Sequence, residues 1–416
     1  MKNSKKEKIL VITYFYGTRG CCPAEWADDK LDAMCKMEKN TILLTSIFSK
    51  KNTSKGVVHY RIPSLSIQDL RHEVGELKNE NMNIPYLKLL LFLPFVITIG
   101  LGLDLLQKVI TSGNGGGKWS WTFPAAVCAL YLSIRHNCKQ IFTTGGPASA
   151  HLAGSFVTLL TGKNLVCELQ DPLTGKDIGR TVNSAKLLSA VEKIIMKTAD
   201  KVVFVTKNAA DFAKSKYTDV KANIVAIYPG SKYFSKNENT EKQSSKLKMI
   251  HLGTLYSTRN FNTLIQSIDE LIEEKIINED EIEILNLGEI YGDIKEHHLS
   301  RSYIKQVSIK PREEAIEIAS SYDVSLLIQH VDSRSESTIP YKTYDYINIG
   351  NPILGLTNSE ELSVLLNENG HIAINVNNVK LIKQQLLNLL RDYTKISTNI
   401  RPISIDIVKQ TLEILN

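Results

Sequence analysis

Gln140-Ile141-Phe142-Thr143-Thr144-Gly145-Gly146-Pro147-Ala148-Ser149-Ala150-His151 is the stretch from which the fold is read. Its opening residues are mostly apolar, aromatic or β-branched, as a strand buried on both faces requires. Gly145 and Gly146 then permit a tight turn, and Pro147 suits the start of a helix. Ala148–Leu160 keeps a helical apolar period, and Leu165–Leu169 is again strand-like. A strand, a glycine turn, a helix and a second strand form the unit from which parallel sheets are built.

Outward from this unit the same alternation runs from Lys8 to about Gly230. Ile9–Tyr16, Thr41–Ser46, Val57–Ile62, Val202–Thr206 and Ile224–Tyr228 read as further strands, and Lys186–Thr198 as an amphipathic helix. Residues 232–248 break the rhythm, because Lys236-Asn237-Glu238-Asn239-Thr240-Glu241 is polar and without period. A second series follows, with strands at Met249–Leu252, Glu283–Leu287, Val324–Ile328 and Ile353–Leu356. Its helices are read at Asn260–Glu274, Pro311–Ser320, Tyr341–Ile349 and Leu381–Arg391, and Ile403–Leu415 forms one more. The expectation is an α/β chain of two doubly wound domains, 1–231 and 249–395, joined by a linker at 232–248 and followed by a helical segment at 396–416.

Ile84–Ile110 departs from the pattern. Its centre, Leu89–Leu103, carries no charge but contains Pro94, Gly100 and Gly102. Fifteen helical residues cover only about 22 Å, short of the roughly 30 Å hydrocarbon core. Lys88 and Asp104 bound the run, and the globular pattern resumes without a second span. These features predict a helical hairpin bent at Pro94, monotopic on a membrane surface or buried in the core, in preference to a crossing.

The composition narrows the class. With 416 residues, 43% hydrophobic and 23% charged, and a mean hydropathy of -0.11, the chain is neither disordered nor a polytopic membrane protein. A net charge of +6 from 50 basic and 44 acidic residues is too small an excess to argue for nucleic acid, and suits an anionic ligand or lipid surface. The six cysteines show neither a C-x-x-C pair nor nearby histidines at zinc spacing, so reduced thiols and a cytoplasmic location are expected. The basic start, Met1–Lys8, runs into a strand with no cleavage site after it, and is read as part of the fold, not as a signal peptide.

In doubly wound sheets ligands sit at the carboxyl ends of the strands, where strand order reverses. Tyr16-Gly17-Thr18-Arg19-Gly20 follows the first strand, and Gly17 and Gly20 let backbone approach a ligand. It lacks the third glycine and acidic partner of a dinucleotide fingerprint. His151 falls in the first helical turn after Gly145-Gly146, at the crevice unless it is simply a packed histidine. In Glu168-Leu169-Gln170-Asp171-Pro172, Asp171 either bonds a hydroxyl or caps a helix. Leu252-Gly253-Thr254-Leu255-Tyr256-Ser257-Thr258-Arg259-Asn260 offers a glycine turn, hydroxyls and an arginine at a helix entrance, which is a cradle for diphosphate. The most specific stretch is Glu336 to Gly355, where Glu336-Ser337-Thr338 leads through Pro340 into a helix that ends at Gly350. Lys342 and Asp345 stand three apart on one face of it, presenting a cation to phosphate and a carboxylate to sugar hydroxyls, or else forming a surface ion pair.

Glu336–Gly355 resembles the donor-site motif of GT-B glycosyltransferases, in particular the retaining family numbered 4. Trp121–Pro172, with Thr144-Gly145-Gly146-Pro147, His151 and Gln170-Asp171-Pro172, is similar to the acceptor-domain core of bacterial polysaccharide transferases in that group. Ala199–Thr206 and His251–Tyr256 are similar too, so the likeness covers nearly the whole chain. It implies two Rossmann-like domains facing a cleft, with the last helix returning to the first domain.

The resemblance further implies that Arg259 and Lys342 neutralise the nucleotide diphosphate, that Asp345 bonds the donor ribose, and that His151 sits near the transferred sugar. Gly17, Gly20, Gly253, Thr254, Glu336, Ser337 and Thr338 are the other expected donor contacts, and Gly145 and Gly146 the acceptor contacts. The usual family signature has two glutamates eight apart, whereas here Ser337, beside Glu336, lies eight before Asp345. The implied activity is metal-independent transfer of a hexose from a nucleotide-diphosphate sugar to a saccharide acceptor, with retention and no cofactor. Arg71, Lys78, Lys88, Lys108 and Lys118, set beside the apolar stretch, suit an acceptor carried on a polyprenyl diphosphate at the inner membrane face, in surface polysaccharide assembly, or else merely solvate the hairpin. Two other readings of this fold stay open: a non-catalytic nucleotide- or partner-binding protein, and a nucleotide-sugar epimerase or hydrolase using Asp171 and His151.

Overall fold

The computed structural model describes residues 7–18, 21–52, 54–111, 118–175, 181–231, 246–399 and 406–416. The chain divides into two compact units, residues 1–229 together with 407–416, and residues 230–406. Most of the expected linker, 232–245, lies outside the described residues, as do 400–405 of the expected terminal segment.

The first unit contains β1 (Lys8–Ile12), α1 (Cys22–Lys36), β2 (Asn40–Ser46), β3 (Val57–Ile62), α2 (Ile67–Asn79), α3 (Tyr86–Thr111) and α4 (Thr122–Arg135). It continues through β4 (Cys138–Gly145), α5 (Ala148–Thr161), β5 (Asn164–Leu169), α6 (Val182–Thr198), β6 (Lys201–Phe204), α7 (Lys207–Lys216) and β7 (Asn223–Ala226). The strands pair in the order β3-β2-β1-β4-β5-β6-β7, and every pairing is parallel. Successive residues of β1 serve opposite layers, because strand side chains alternate. Leu10 and Ile12 join the core shared with Ala129 of α4, Val157 of α5 and Ile195 of α6. Ile9 and Val11 face Leu31 and Met34 of α1.

The second unit runs β8 (Leu247–Leu252), α8 (Asn262–Glu273), β9 (Ile282–Leu287), α9 (Ile294–Leu299), β10 (Ile304–Val307), α10 (Arg312–Ser320) and β11 (Val324–Ile328). It closes with α11 (Lys342–Ile349), β12 (Ile353–Leu356), α12 (Glu360–Glu368), β13 (Ile372–Ile374) and α13 (Val379–Asn399). Its sheet, also parallel, has the order β10-β9-β8-β11-β12-β13. The sequence pattern passes over β10 and β13, edge strands of four and three residues, too short to show a period. In both sheets the order reverses beside the first strand of the unit, between β1 and β4 and between β8 and β11. Those switch points open the crevices where ligands of doubly wound sheets bind.

The last helix, α14 (Ile407–Leu415), belongs to the first unit. Ile414 joins the α1 layer, Gln140 donates to the Leu415 carbonyl at 2.8 Å, and Lys201 donates to the Glu413 carbonyl at 3.1 Å.

The expected hairpin at 84–110 is instead one helix, α3, of 26 residues with Pro94 inside it. Proline removes one backbone donor, a local loss that a long helix survives. Gly100 marks no turn either. A Cβ there would stand 3.0 Å from the Leu65 carbonyl and 3.1 Å from Ile67, so this glycine is a notch that lets α3 lie against the start of α2.

Candidate functional site

The second unit gathers cations at its switch point. β8 ends at Leu252, and Gly253, at φ +115, turns the chain away. Gly288 follows β9 at φ +151, and a Cβ on it would overlap the Gly253 carbonyl, so at this point the two loops approach closely only because both residues are glycine. Lys342 opens α11 and reaches across to this turn. Its Nζ donates to His251 Nε2 and to the Leu252 carbonyl at 2.8 Å, and a Cβ on Gly253 would lie 3.7 Å from it.

An ammonium only donates, so His251 Nε2 must accept and Nδ1 must carry the ring proton. That proton is donated to Asn286 Oδ1 at 2.7 Å, and Asn286 Nδ2 donates to the Gly288 carbonyl at 2.8 Å. The relay from Lys342 through His251 and Asn286 to Gly288 runs in one direction and fixes every tautomer along it. His251 is fully buried, and burial first, then the nearby Lys342 charge, hold it well below the ordinary histidine range.

Arg259 closes the loop. Its backbone exchanges hydrogen bonds with Tyr256 at 2.7 and 2.9 Å, its guanidinium stacks on the Tyr256 ring at 5.7 Å, and its buried Nε has no hydrogen-bond partner among the described residues. His330, just after β11, lies between the Tyr256 hydroxyl and the Thr258 hydroxyl, each 3.1 Å away. Burial, with Arg259 and Arg334 as the next causes, lowers its pKa to about 4. Arg334 is held by Asp332 at 2.5 Å and by Thr258 at 2.9 Å. Neutral histidines among three cations make a region that favours an anion.

The remaining expected donor residues fall at different distances from this centre. Thr254 is half-buried in the Gly253 loop, and Glu336 ends a short 3-10 turn, Ser333–Glu336, with an exposed side chain. Ser337 and Thr338 bond back to the Arg334 carbonyl through backbone at 3.4 Å and hydroxyl at 2.8 Å. Asp345 is nearly buried. Arg312 donates to both its carboxylate oxygens, at 2.5 and 3.1 Å, and Ser231 donates to Oδ1 as well. Lys342 and Asp345 therefore reach different partners from α11, the His251 ring and Leu252 carbonyl for one and Arg312 with Ser231 for the other.

In the first unit, Gly17 has φ +64 and Gly20 lies outside the described residues. Gly145, at φ +136, and Gly146 form the turn after β4. His151 is fully buried beneath it. The Gly145 carbonyl accepts from Nε2 at 3.2 Å, which leaves Nδ1 to accept from Thr143 at 2.8 Å. The ring thus braces the glycine turn from below. Asp171 is exposed in the loop after β5. Beneath both loops runs a buried ion pair, Lys30 to Glu168 at 3.3 Å, with Thr144 donating to Glu168 at 2.6 Å and Lys30 to the Pro229 carbonyl at 2.7 Å. Among the described residues, no group of three or more His, Cys, Asp or Glu side chains is placed to hold a metal ion.

Burial lowers the His151 pKa to about 4. Between pH 6.5 and pH 4 the unfolded chain then binds a proton that the folded chain refuses, so stability falls as pH falls, by about 3 kcal/mol for this one ring. Urea unfolding at pH 7, 5.5 and 4.5 is expected to show that loss, and His151→Gln is expected to remove its share of the slope. Equal slopes in the two proteins would contradict a buried neutral imidazole.

Sequence reasoning missed Asn286, Gly288, His330, Arg334 and Arg312 as members of these clusters. Asn286 and Gly288 carry a signal, a polar residue and a glycine at the end of an apolar strand, but only the sheet order places β9 beside β8.

Solved structures share this architecture. HepE from Anabaena, in complex with UDP-glucose, is similar over 98% of each chain with a TM-score of 0.58 and 11% identity. Sucrose-phosphate synthase from Thermosynechococcus elongatus matches 99% of this chain and 95% of its own, with a TM-score of 0.59 and 11% identity. The lipopolysaccharide outer core galactosyltransferase WaaB matches 98% of each chain, with a TM-score of 0.56 and 8% identity. No protein-family model matches the sequence, and no curated protein matches it. The likeness is one of fold, and the fold is GT-B.

Proposed function

We propose that the protein is a glycosyltransferase that moves a hexose from a nucleotide-diphosphate sugar to a saccharide acceptor. The observation that carries this reading is the Lys342 ammonium held over Gly253 by the His251–Asn286 relay. A diphosphate laid on the Gly253 loop meets Lys342 and Arg259, and both cations are in place before charge develops. As the bond between the sugar's anomeric carbon and the phosphate oxygen breaks, its electrons stay on the diphosphate, and these cations stabilise them. The acceptor hydroxyl forms the new bond on the same face of the sugar, and its proton passes to the departing phosphate, which gives retention without a protein nucleophile. The first unit supplies the acceptor side through the Gly145-Gly146 turn, with His151 as a positioning residue. Asp345 is assigned to holding Arg312 and Ser231. The acceptor we favour is a lipid-linked saccharide at the inner face of the cell membrane, in surface polysaccharide assembly, with the protein cytoplasmic and in peripheral membrane contact.

Thermal unfolding with UDP-, GDP-, dTDP- and CMP-sugars tests the donor assignment. Ligand at a hundred times its dissociation constant adds about 2.7 kcal/mol, a shift of a few degrees. One nucleotide class is expected to give that shift in the wild type and none in Lys342→Ala. No shift with any class, with a lipid-linked saccharide present or absent, would overturn the reading. Release of free sugar at transferase-like rates without acceptor would move it to a hydrolase.

A further inference from the structure

By length and composition α3 could cross a membrane: within Leu89–Ile110, an 18-residue stretch has a mean hydropathy of 2.4 and only 11% of its residues are buried. Its contacts, however, run along its length. Leu89 packs on the first unit's core, Val96 is buried, Gly100 meets Leu65 and Ile67, and Asp104 accepts from the Gln68 backbone at 3.2 Å. These positions form one stripe of the helix, and Leu87, Leu91, Leu105 and Val109 on the opposite stripe are each more than half exposed. A helix fastened along its side to a folded unit lies parallel to that unit's surface and cannot leave it to span a bilayer.

The apolar surface is not confined to α3. The layer of α4, α5 and α6, on the Leu10 and Ile12 side of the sheet, exposes Phe123, Val127, Tyr131 and Ile134 along one stripe of α4, and Leu159 and Leu160 at the end of α5. On the other side, α1 and α14 expose a single large apolar side chain, Leu412. Charge divides the same way. Helices α3, α4 and α5 carry Lys88, Lys108 and Arg135 against Asp104 alone, a balance of +2. Helices α1 and α14 carry three basic and five acidic residues, a balance of -2.

We infer that α3 and the outer surface of α4 and α5 together form a face that settles on an anionic lipid surface, with α3 in the membrane plane at the level of the acyl boundary. Exposed apolar side chains on helices of positive net charge match that surface. A soluble protein partner or a second copy of a chain with this basic face would have to supply the opposite charge. The inference extends the proposed lipid-linked acceptor, but it stands on the first unit alone, whereas nucleotide binding tests the second.

The full chain is mixed with vesicles of phosphatidylcholine, alone or with about one quarter phosphatidylglycerol, and sedimented. Binding to the anionic vesicles is expected, weakened by salt, and lowered about 10- to 100-fold in Phe123→Ser/Tyr131→Ser. Both substituted side chains are more than half exposed, so the thermal midpoint and the nucleotide shift should not change. Single nitroxide labels at Leu87, Thr98 and Val109, all on the outward stripe, are expected at equal depth. A deep middle label would show a span. Vesicle binding unaltered in the double variant would confine the contact to α3. No vesicle binding, with a dimer that the double variant dissociates, would assign the face to a second copy. Each of these results overturns the inference, and the nucleotide shift measured on the same samples reports separately on the donor site.

Discussion

Lys342→Ala is expected to lower kcat/KM for the nucleotide-sugar donor by 10²- to 10³-fold, about 3–4 kcal/mol of transition-state stabilisation. The size follows from where the ammonium is held. Two acceptors, His251 Nε2 and the Leu252 carbonyl, fix Nζ above Gly253, so the charge needs no reorganisation as the diphosphate becomes a leaving group. Because His251 stays neutral, the ammonium faces no competing cation within its own relay. Lys342→Arg is expected to recover little, since a planar guanidinium cannot take the place of a point charge seated between a ring nitrogen and a carbonyl. The folded state should lose about 1–3 kcal/mol, because two hydrogen bonds go unmade and the buried His251 Nε2 is left without its donor. Full turnover in Lys342→Ala would remove the basis of the proposed mechanism.

Asp345→Ala is expected to destabilise the second unit by about 3–5 kcal/mol, because it strands the Arg312 guanidinium without its carboxylate. The pair is well enclosed, with side-chain exposures of 13% for Arg312 and 7% for Asp345. Arg312 also donates to Ser231 at 2.6 Å and stacks over Tyr341 at 5.0 Å, so the loss would loosen the entrance of α11 as well. Replacing both partners with apolar residues, as in Arg312→Met/Asp345→Leu, is expected to restore much of the stability. Urea unfolding distinguishes this from a purely ligand-binding carboxylate, whose removal would cost under 1 kcal/mol in the absence of donor.

What was legible in the sequence was whatever depends on neighbours along the chain. The runs around β1, β4, β8 and β11 are apolar enough to mark strands without help, and Gly350, with φ +80, ends α11 where a glycine stop was read. Lys342 and Arg259 could be selected because each stands beside a glycine loop or a helix entrance. What failed to show was whatever depends on facing. His151 has the right height, one turn into α5, but the sequence does not say which side of the helix is turned inward. The spacing of Lys342 and Asp345 suggested a shared face, yet the long lysine reaches β8 while the short aspartate stays beside α10. Pro94 and Gly100 look like breaks in α3 because a sequence cannot reveal that the glycine answers a carbonyl on another element.

The return of α14 to the first unit affects how the chain is made. The second unit is one unbroken stretch, 230–406, while the first is interrupted by it. At about 5–20 residues per second, roughly 10–35 s of synthesis separate the strands of the first sheet from the helix that covers Ile9 and Val11. During that interval the α1 side of the sheet lacks Ile414 and Leu415, and nascent chains paused before residue 407 should be the species that chaperones hold and proteases cut.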